Sequence, residues 1–186
     1  TGASSPTTSI AGLIAEVYPF ATVDNLATNG ARVEHVIHQL KCVRRHYDLI
    51  FIHAGGNDTV RLTDLGRLRH DLVRMLSLAK RKGSHVLLTA TGNVGTAGLF
   101  PYPVRRFWEW RTRKTRHVFL EVLREEDPAL VRYVDLFRER PEDPFATAPH
   151  LHYARDLFHP SDDGYRLWIP YMVEQLEQFP FPVIEP

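Results

Sequence analysis

The stretch YDLIFIHAGGND, Tyr47–Asp58, decides how the rest of this chain is read. From Leu49 to Ile52 it is apolar without alternation, the pattern of a strand buried on both faces, as in a parallel sheet. Gly55 and Gly56 follow and allow a tight turn that presents Asn57 and Asp58.

On either side of this stretch, helices and strands alternate. Upstream, Val33, Val36, Ile37 and Leu40 share one helical face, a short strand is expected at Ala21–Leu26, and Ile10, Leu13, Ile14 and Val17 recur at helical spacing. Ser5-Pro6 reads as the N-cap and first residue of that earliest helix. Downstream, Leu62–Lys82 reads as helix with Gly83 as its C-cap, Ser84–Ala90 as strand and Val104–Arg124 as helix. Val131–Phe137 then reads as strand and Ser161–Phe179 as a closing helix. Strict alternation implies a parallel sheet with helices on both faces. Residues 1–186 read as one domain without repeats or a linker, and the tail FPFPVIEP as an extended surface segment.

Composition sets bounds on function. With 186 residues, 44% apolar and 24% charged, the chain can bury a sizeable core. A formal net charge of +1 supplies no field that would draw in nucleic acid or an anionic membrane. The longest apolar runs fall far short of the roughly 20 residues of a membrane-spanning helix, so no membrane span is expected. Cys42 is the single cysteine, which excludes an internal disulfide; its helical setting suggests a partly buried, unreactive thiol. The amino end, TGASSP, lacks the basic and apolar regions of a signal peptide. Compartment and oligomeric state stay open.

In an open α/β sheet, ligands bind beyond the carboxyl ends of the strands. LATNGAR brings the bare backbone of Gly30 to that rim, HAGGNDT brings Asn57, and DLFH brings Asp156 and His159. Histidine with an orienting aspartate is a general base for a weak nucleophile, and a glycine N–H with an asparagine amide are donors for an oxyanion. Together they make an acyl-transfer site without its nucleophile.

The blocks Asn29-Gly30, Gly55–Asp58 and Asp156–His159, in this order and over nearly the whole chain, resemble the second, third and fifth motifs of the SGNH, or GDSL-type, hydrolases. The resemblance implies a flavodoxin-like three-layer α/β/α fold and serine ester hydrolysis with neither metal nor cofactor. It places Gly30 and Asn57 in the oxyanion hole, His159 as base and Asp156 as its orienting acid, with a small-molecule ester as substrate. Phe158, beside the base, is a candidate substrate contact.

The family's first motif, Gly-Asp-Ser after the first strand, has no counterpart. Ser4, Ser5 and Ser9 are the nearby hydroxyls, and none follows a strand. The expectation is a serine upstream of Thr1, on a strand lying between the one at Ala21–Leu26 and the one at Tyr47, as in the sheet order 2-1-3-4-5. Without it the sheet should be broken there. A second function stays open: a catalytically inactive module that binds a carbohydrate or lipid ester.

His150 and His152, with Asp156 and His159, resemble metal-ligand spacing, but their offsets do not make a convincing four-ligand set. The glycines of TATGNVGTAG do not match a dinucleotide fingerprint; that stretch reads as a flexible loop over the pocket, and Asn93–Pro103 as a candidate for substrate contact. Phe100, Tyr102, Phe107, Trp108 and Trp110, set among arginines, read as the buried aromatic face of a helix with a basic outer face, or alternatively as an acyl-binding wall.

Overall fold

A computed structural model describes residues 2–181. Strands β1 (Tyr47–His53), β2 (Gly83–Thr89) and β3 (Val131–Val134) form a parallel sheet in the order β1-β2-β3. His53 pairs with Thr89, and Thr89 with Val134, so the three carboxyl ends are level.

The period of two along each strand splits the core. Ile50, Ile52, Val86, Leu88 and Val131 pack towards α2 (Val33–Cys42), α4 (Leu65–Lys82) and α5 (Val104–Leu123). Leu87 and Val134, with half-buried Leu49 and Phe51, pack towards α1 (Ile10–Val17) and α8 (Asp162–Leu176), the latter preceded in the chain by the short helices α6 (Pro144–Thr147) and α7 (Pro149–His152). The result is a three-layer α/β/α arrangement. Local chemistry fixes the helix ends. Asp64 accepts from the Arg67 N–H at 2.8 Å to start α4, whose last turn holds Lys80, Arg81 and Lys82 against the negative dipole end. Ser161 accepts from the Gly164 N–H at 3.1 Å to start α8, with Asp162 and Asp163 in its first turn. Among the described residues, no helix is long and apolar enough to cross a membrane.

Several expectations are corrected. Ser5 caps only a single 3-10 turn, Pro6–Thr8; α1 begins at Ile10 and is capped by Ser9. Residues Ala21–Leu26 form no strand and are exposed. They are tethered beside β1 by side chains: Tyr47 donates its hydroxyl to Asp24 Oδ2 at 2.6 Å, Arg45 pairs with Asp24, and Gln39 Nε2 donates to the Leu26 carbonyl at 3.0 Å. Cys42 is exposed, because it falls on the outer side of α2 while Val33, Ile37 and Leu40 face inward. The Asn93–Ala97 stretch is packed and not loose: Val94–Thr96 is a buried 3-10 turn, and the Thr96 hydroxyl meets Asn93 O at 2.7 Å and the Tyr153 hydroxyl at 2.8 Å. Phe179 is buried against His85, so the tail begins inside the core; residues 182–186 lie outside the described residues.

Between β1 and the Ala21–Ala31 stretch lies a slot of about 1490 Å³ running the length of β1, with α1 and α8 along one side. The outer edge of β1 has no backbone partner among the described residues.

Candidate functional site

The turn after β1 is built by glycine. Gly55 caps the short helix α3 (Gly56–Val60) at φ 101°, where a Cβ would stand 2.8 Å from Phe119 Cζ, so the position demands glycine on two counts. The turn thereby delivers Asn57 to the end of the slot. Its Nδ2 donates to the Ala31 carbonyl at 3.0 Å, tying it to the neighbouring Gly30 turn; an amide nitrogen carries two N–H groups, so one remains for a ligand. Gly30 has φ 75° and is exposed. Asp58 is buried and accepts from the Val33 N–H at 3.0 Å, pinning the start of α2. Burial pushes its carboxyl up, partly offset by that hydrogen bond, and its role is structural.

The DLFH loop is a closed turn. Asp156 Oδ1 accepts the N–H groups of Phe158 (3.0 Å) and His159 (2.9 Å), which forces Leu157 to φ 58°. The free carboxylate oxygen, Oδ2, then lies 2.6 Å from His159 Nδ1. Partial burial raises the Asp156 carboxyl, but the hydrogen bonds from the His159 ring and the two backbone N–H groups outweigh it and hold it below the usual range. An ionised Asp156 fixes the tautomer with the proton on Nδ1 and leaves Nε2 to exchange a proton with a substrate. Gly2, at φ 88°, packs so closely behind the loop that a Cβ there would stand 2.8 Å from His159 Cβ.

Gly30, Asn57, Phe158 and His159 all line the slot cavity, while Asp156 sits behind His159 on its outer side. The three serines near the amino end are engaged elsewhere. Ser4 Oγ donates to Asp162 Oδ2 at 2.5 Å, Ser5 Oγ accepts from the Thr8 N–H at 3.3 Å, and Ser9 Oγ donates to the Pro6 carbonyl at 2.6 Å. His53, the last residue of β1, was missed by sequence reading. Its ring lies 5.8 Å from that of Trp168 and lines the slot; a histidine closing an apolar strand was the available signal. No three His, Cys, Asp or Glu side chains converge on a metal position among the described residues.

The GDSL-like Lipase/Acylhydrolase family profile matches residues 1–167. The chain belongs to this family. A member of the lipolytic protein G-D-S-L family from Veillonella parvula DSM 2008 superposes with a TM-score of 0.74 at 16% identity, over 94% of this chain and 91% of that one. The salicylyl-acyltransferase SsfX3 from a tetracycline biosynthetic pathway gives 0.64 at 17% identity, over 97% of this chain but 52% of that one. At these identities the likeness is one of fold. No curated protein matches the chain. Membership of the GDSL-like family accounts for the α/β architecture and for blocks that meet at one rim of the sheet.

Proposed function

We propose that the protein is a serine ester hydrolase in which His159 is the general base, Asp156 its orienting acid, and the Gly30 N–H and Asn57 amide the oxyanion donors. The observation that carries this reading is the 2.6 Å contact between His159 Nδ1 and Asp156 Oδ2, at a cavity also lined by Gly30 and Asn57. The nucleophile in this reading is a serine on the segment that fills the slot beside β1. Its hydroxyl attacks the ester carbonyl as His159 Nε2 takes its proton, and the oxyanion that forms is met by the two donors. Collapse expels the alcohol, protonated by His159; a water activated by the same nitrogen then releases the acid and restores the serine. Asp156 remains ionised throughout.

One observation favours a second reading, an inactive module that binds an ester: Ser4, Ser5 and Ser9 are all engaged away from His159. Two measurements separate the readings. Intact mass and amino-terminal sequencing of the protein as produced in its cell report whether a Gly-Asp-Ser segment accompanies residues 1–186. In that same material, His159→Ala is expected to lower kcat for p-nitrophenyl acetate by orders of magnitude without unfolding the chain. Hydrolysis that is undiminished in this variant would remove His159 from the chemistry.

A further inference from the structure

Helix α5 turns Arg111, Thr115, Val118, Phe119 and Val122 into the fold. Helical spacing continues that face towards the amino end through Val104, Phe107 and Trp108. There the fold leaves it open: Val104 and Phe107 are exposed, Tyr102 just before them is 72% exposed, and neighbouring Trp110 is 50% exposed. The expectation of a buried aromatic face is therefore corrected for this half of the helix.

The rings make a continuous run. Trp110 lies 5.8 Å from Phe107, Phe107 5.0 Å from Trp108, and Trp108 5.3 Å from Phe100, between ring centroids. Phe100 then lies 6.0 Å edge-on from Phe158, and Phe158 5.0 Å from the ring of His159. Two hydrogen bonds fix the run: the Arg105 side chain donates through Nε to the Phe100 carbonyl, and the Leu99 N–H donates to the Leu157 carbonyl at 3.2 Å, on the loop that carries His159. Leu99 and Leu157 are exposed and flank the rings. Phe158 also lines the slot, so the run leads from the reacting position outward to the surface of α5.

We propose that this run is the binding track for the apolar chain of an ester substrate, which makes long-chain acyl esters the preferred class over acetylated small molecules. The proposal rests on the reading of His159 as base. Its occupant is set by continuity: an apolar chain attached to a carbonyl beside His159 meets Phe158, Phe100, Trp108, Phe107 and Trp110 in order, whereas a protein seated on Leu99 and Leu157 would cover the loop that carries the base. Each methylene that such a track takes out of water strengthens binding by up to about fourfold, and faces of aromatic rings accept a flexible chain without polar partners.

Bromine on an acyl chain quenches tryptophan on contact, which gives a test independent of hydrolysis. Monomeric dibromostearic acid is expected to quench the complete protein, and the doubly substituted Trp108→Phe, Trp110→Phe protein is expected to lose most of that quenching. Quenching by the same absolute amount in the double variant would put the chain against Trp168 in the slot and overturn the track; so would absence of quenching in the unsubstituted protein. Quenching by vesicles of brominated phospholipid alone would assign the patch to a lipid surface, and a dimer abolished by the same substitutions would assign it to a second copy; either result overturns the proposal. As a second readout, Phe107→Ala with Trp110→Ala should lower the ratio of kcat/KM for p-nitrophenyl decanoate over p-nitrophenyl acetate by about tenfold, and an unchanged ratio counts against the track. If His159→Ala leaves hydrolysis intact, the base reading fails while quenching still decides the track.

Discussion

Asp156 uses its two oxygens for different jobs, and substitution can separate them. Oδ1 closes the turn on two backbone N–H groups and Oδ2 meets the imidazole. Asn at 156 keeps one carbonyl oxygen for the turn but loses the charge that stabilises an imidazolium. Asp156→Asn is therefore expected to keep its melting temperature and lose about 10²-fold or more in kcat; a loss of stability with kcat intact would make Asp156 a cap only. If Asn57 holds the proposed oxyanion position, its amide acts on charge that develops after binding, and Asn57→Ala is expected to cost about 10²–10³ in kcat with little change in KM. Raised KM at constant kcat would mark it as a substrate anchor instead. The residues behind these predictions were legible in the sequence because each sits at a fixed offset from a strand end or inside a short turn. The exchange of Asn57 with the Ala31 carbonyl and the packing of Gly2 on His159 were not legible, since both join segments far apart in the chain.

At the scale of elements, the five long helices α1, α2, α4, α5 and α8 and the three paired strands were legible because period and capping residues agreed, as with Ser161 before α8 and Gly83 after α4, whereas the short helices at Gly56–Val60, Pro144–Thr147 and Pro149–His152 read as turn and loop. The strand expected at Ala21–Leu26 fails for a physical reason. A strand exists by its ladder, and the ladder position next to this stretch has no occupant among the described residues, so its peptide groups stay solvated while Asp24 and Leu26 are held by side chains. The aromatic half of α5 was misassigned because periodicity reports which face is apolar, and the length of the sheet beneath decides whether that face is covered. The GGND turn yields an element-scale prediction. Gly55→Ala adds a Cβ at positive φ and drives it into Phe119, and the left-handed penalty and overpacking together should cost about 2–4 kcal/mol. Urea denaturation measures this; a cost under about 1 kcal/mol would show that α3 can shift away from the core.

For the whole molecule the slot beside β1 is the dominant feature, and two ionisable groups that line it, His53 and Asp143, report on it with opposite signs. Burial lowers the His53 imidazole to about 4, below its ordinary 6.5, so its share of stability is complete above pH 6.5 and is lost as pH falls towards 4. Burial raises the Asp143 carboxyl to about 6, above its ordinary 3.8, so its share is present below 3.8 and is lost as pH rises through 6. Between pH 4 and 6 the two slopes oppose. His53→Gln should leave stability falling more steeply with rising pH than in the parent, and Asp143→Asn should do the reverse; parallel curves from urea titrations would refute both. His53 is solvent-accessible, lines the slot and packs on Trp168, so its full shift belongs to a filled slot and a smaller one to a hydrated slot. The same logic extends to the backbone. The outward-facing peptide groups of β1 have no backbone partner among the described residues, and leaving such groups both buried and unpaired costs several kcal/mol, which water or an inserted strand avoids. Residues 1–186 produced alone should therefore show fast hydrogen exchange at the β1 amides that face the slot and slow exchange at those paired with β2, with an imidazole pKa for His53 nearer 6.5 than 4. A peptide strand that enters the slot should slow the first set and lower the His53 value together. Uniform slow exchange along β1 in residues 1–186 alone would mean that Ala21–Leu26 closes onto β1 as its direct neighbour, leaving no room for a strand to bring a serine to His159.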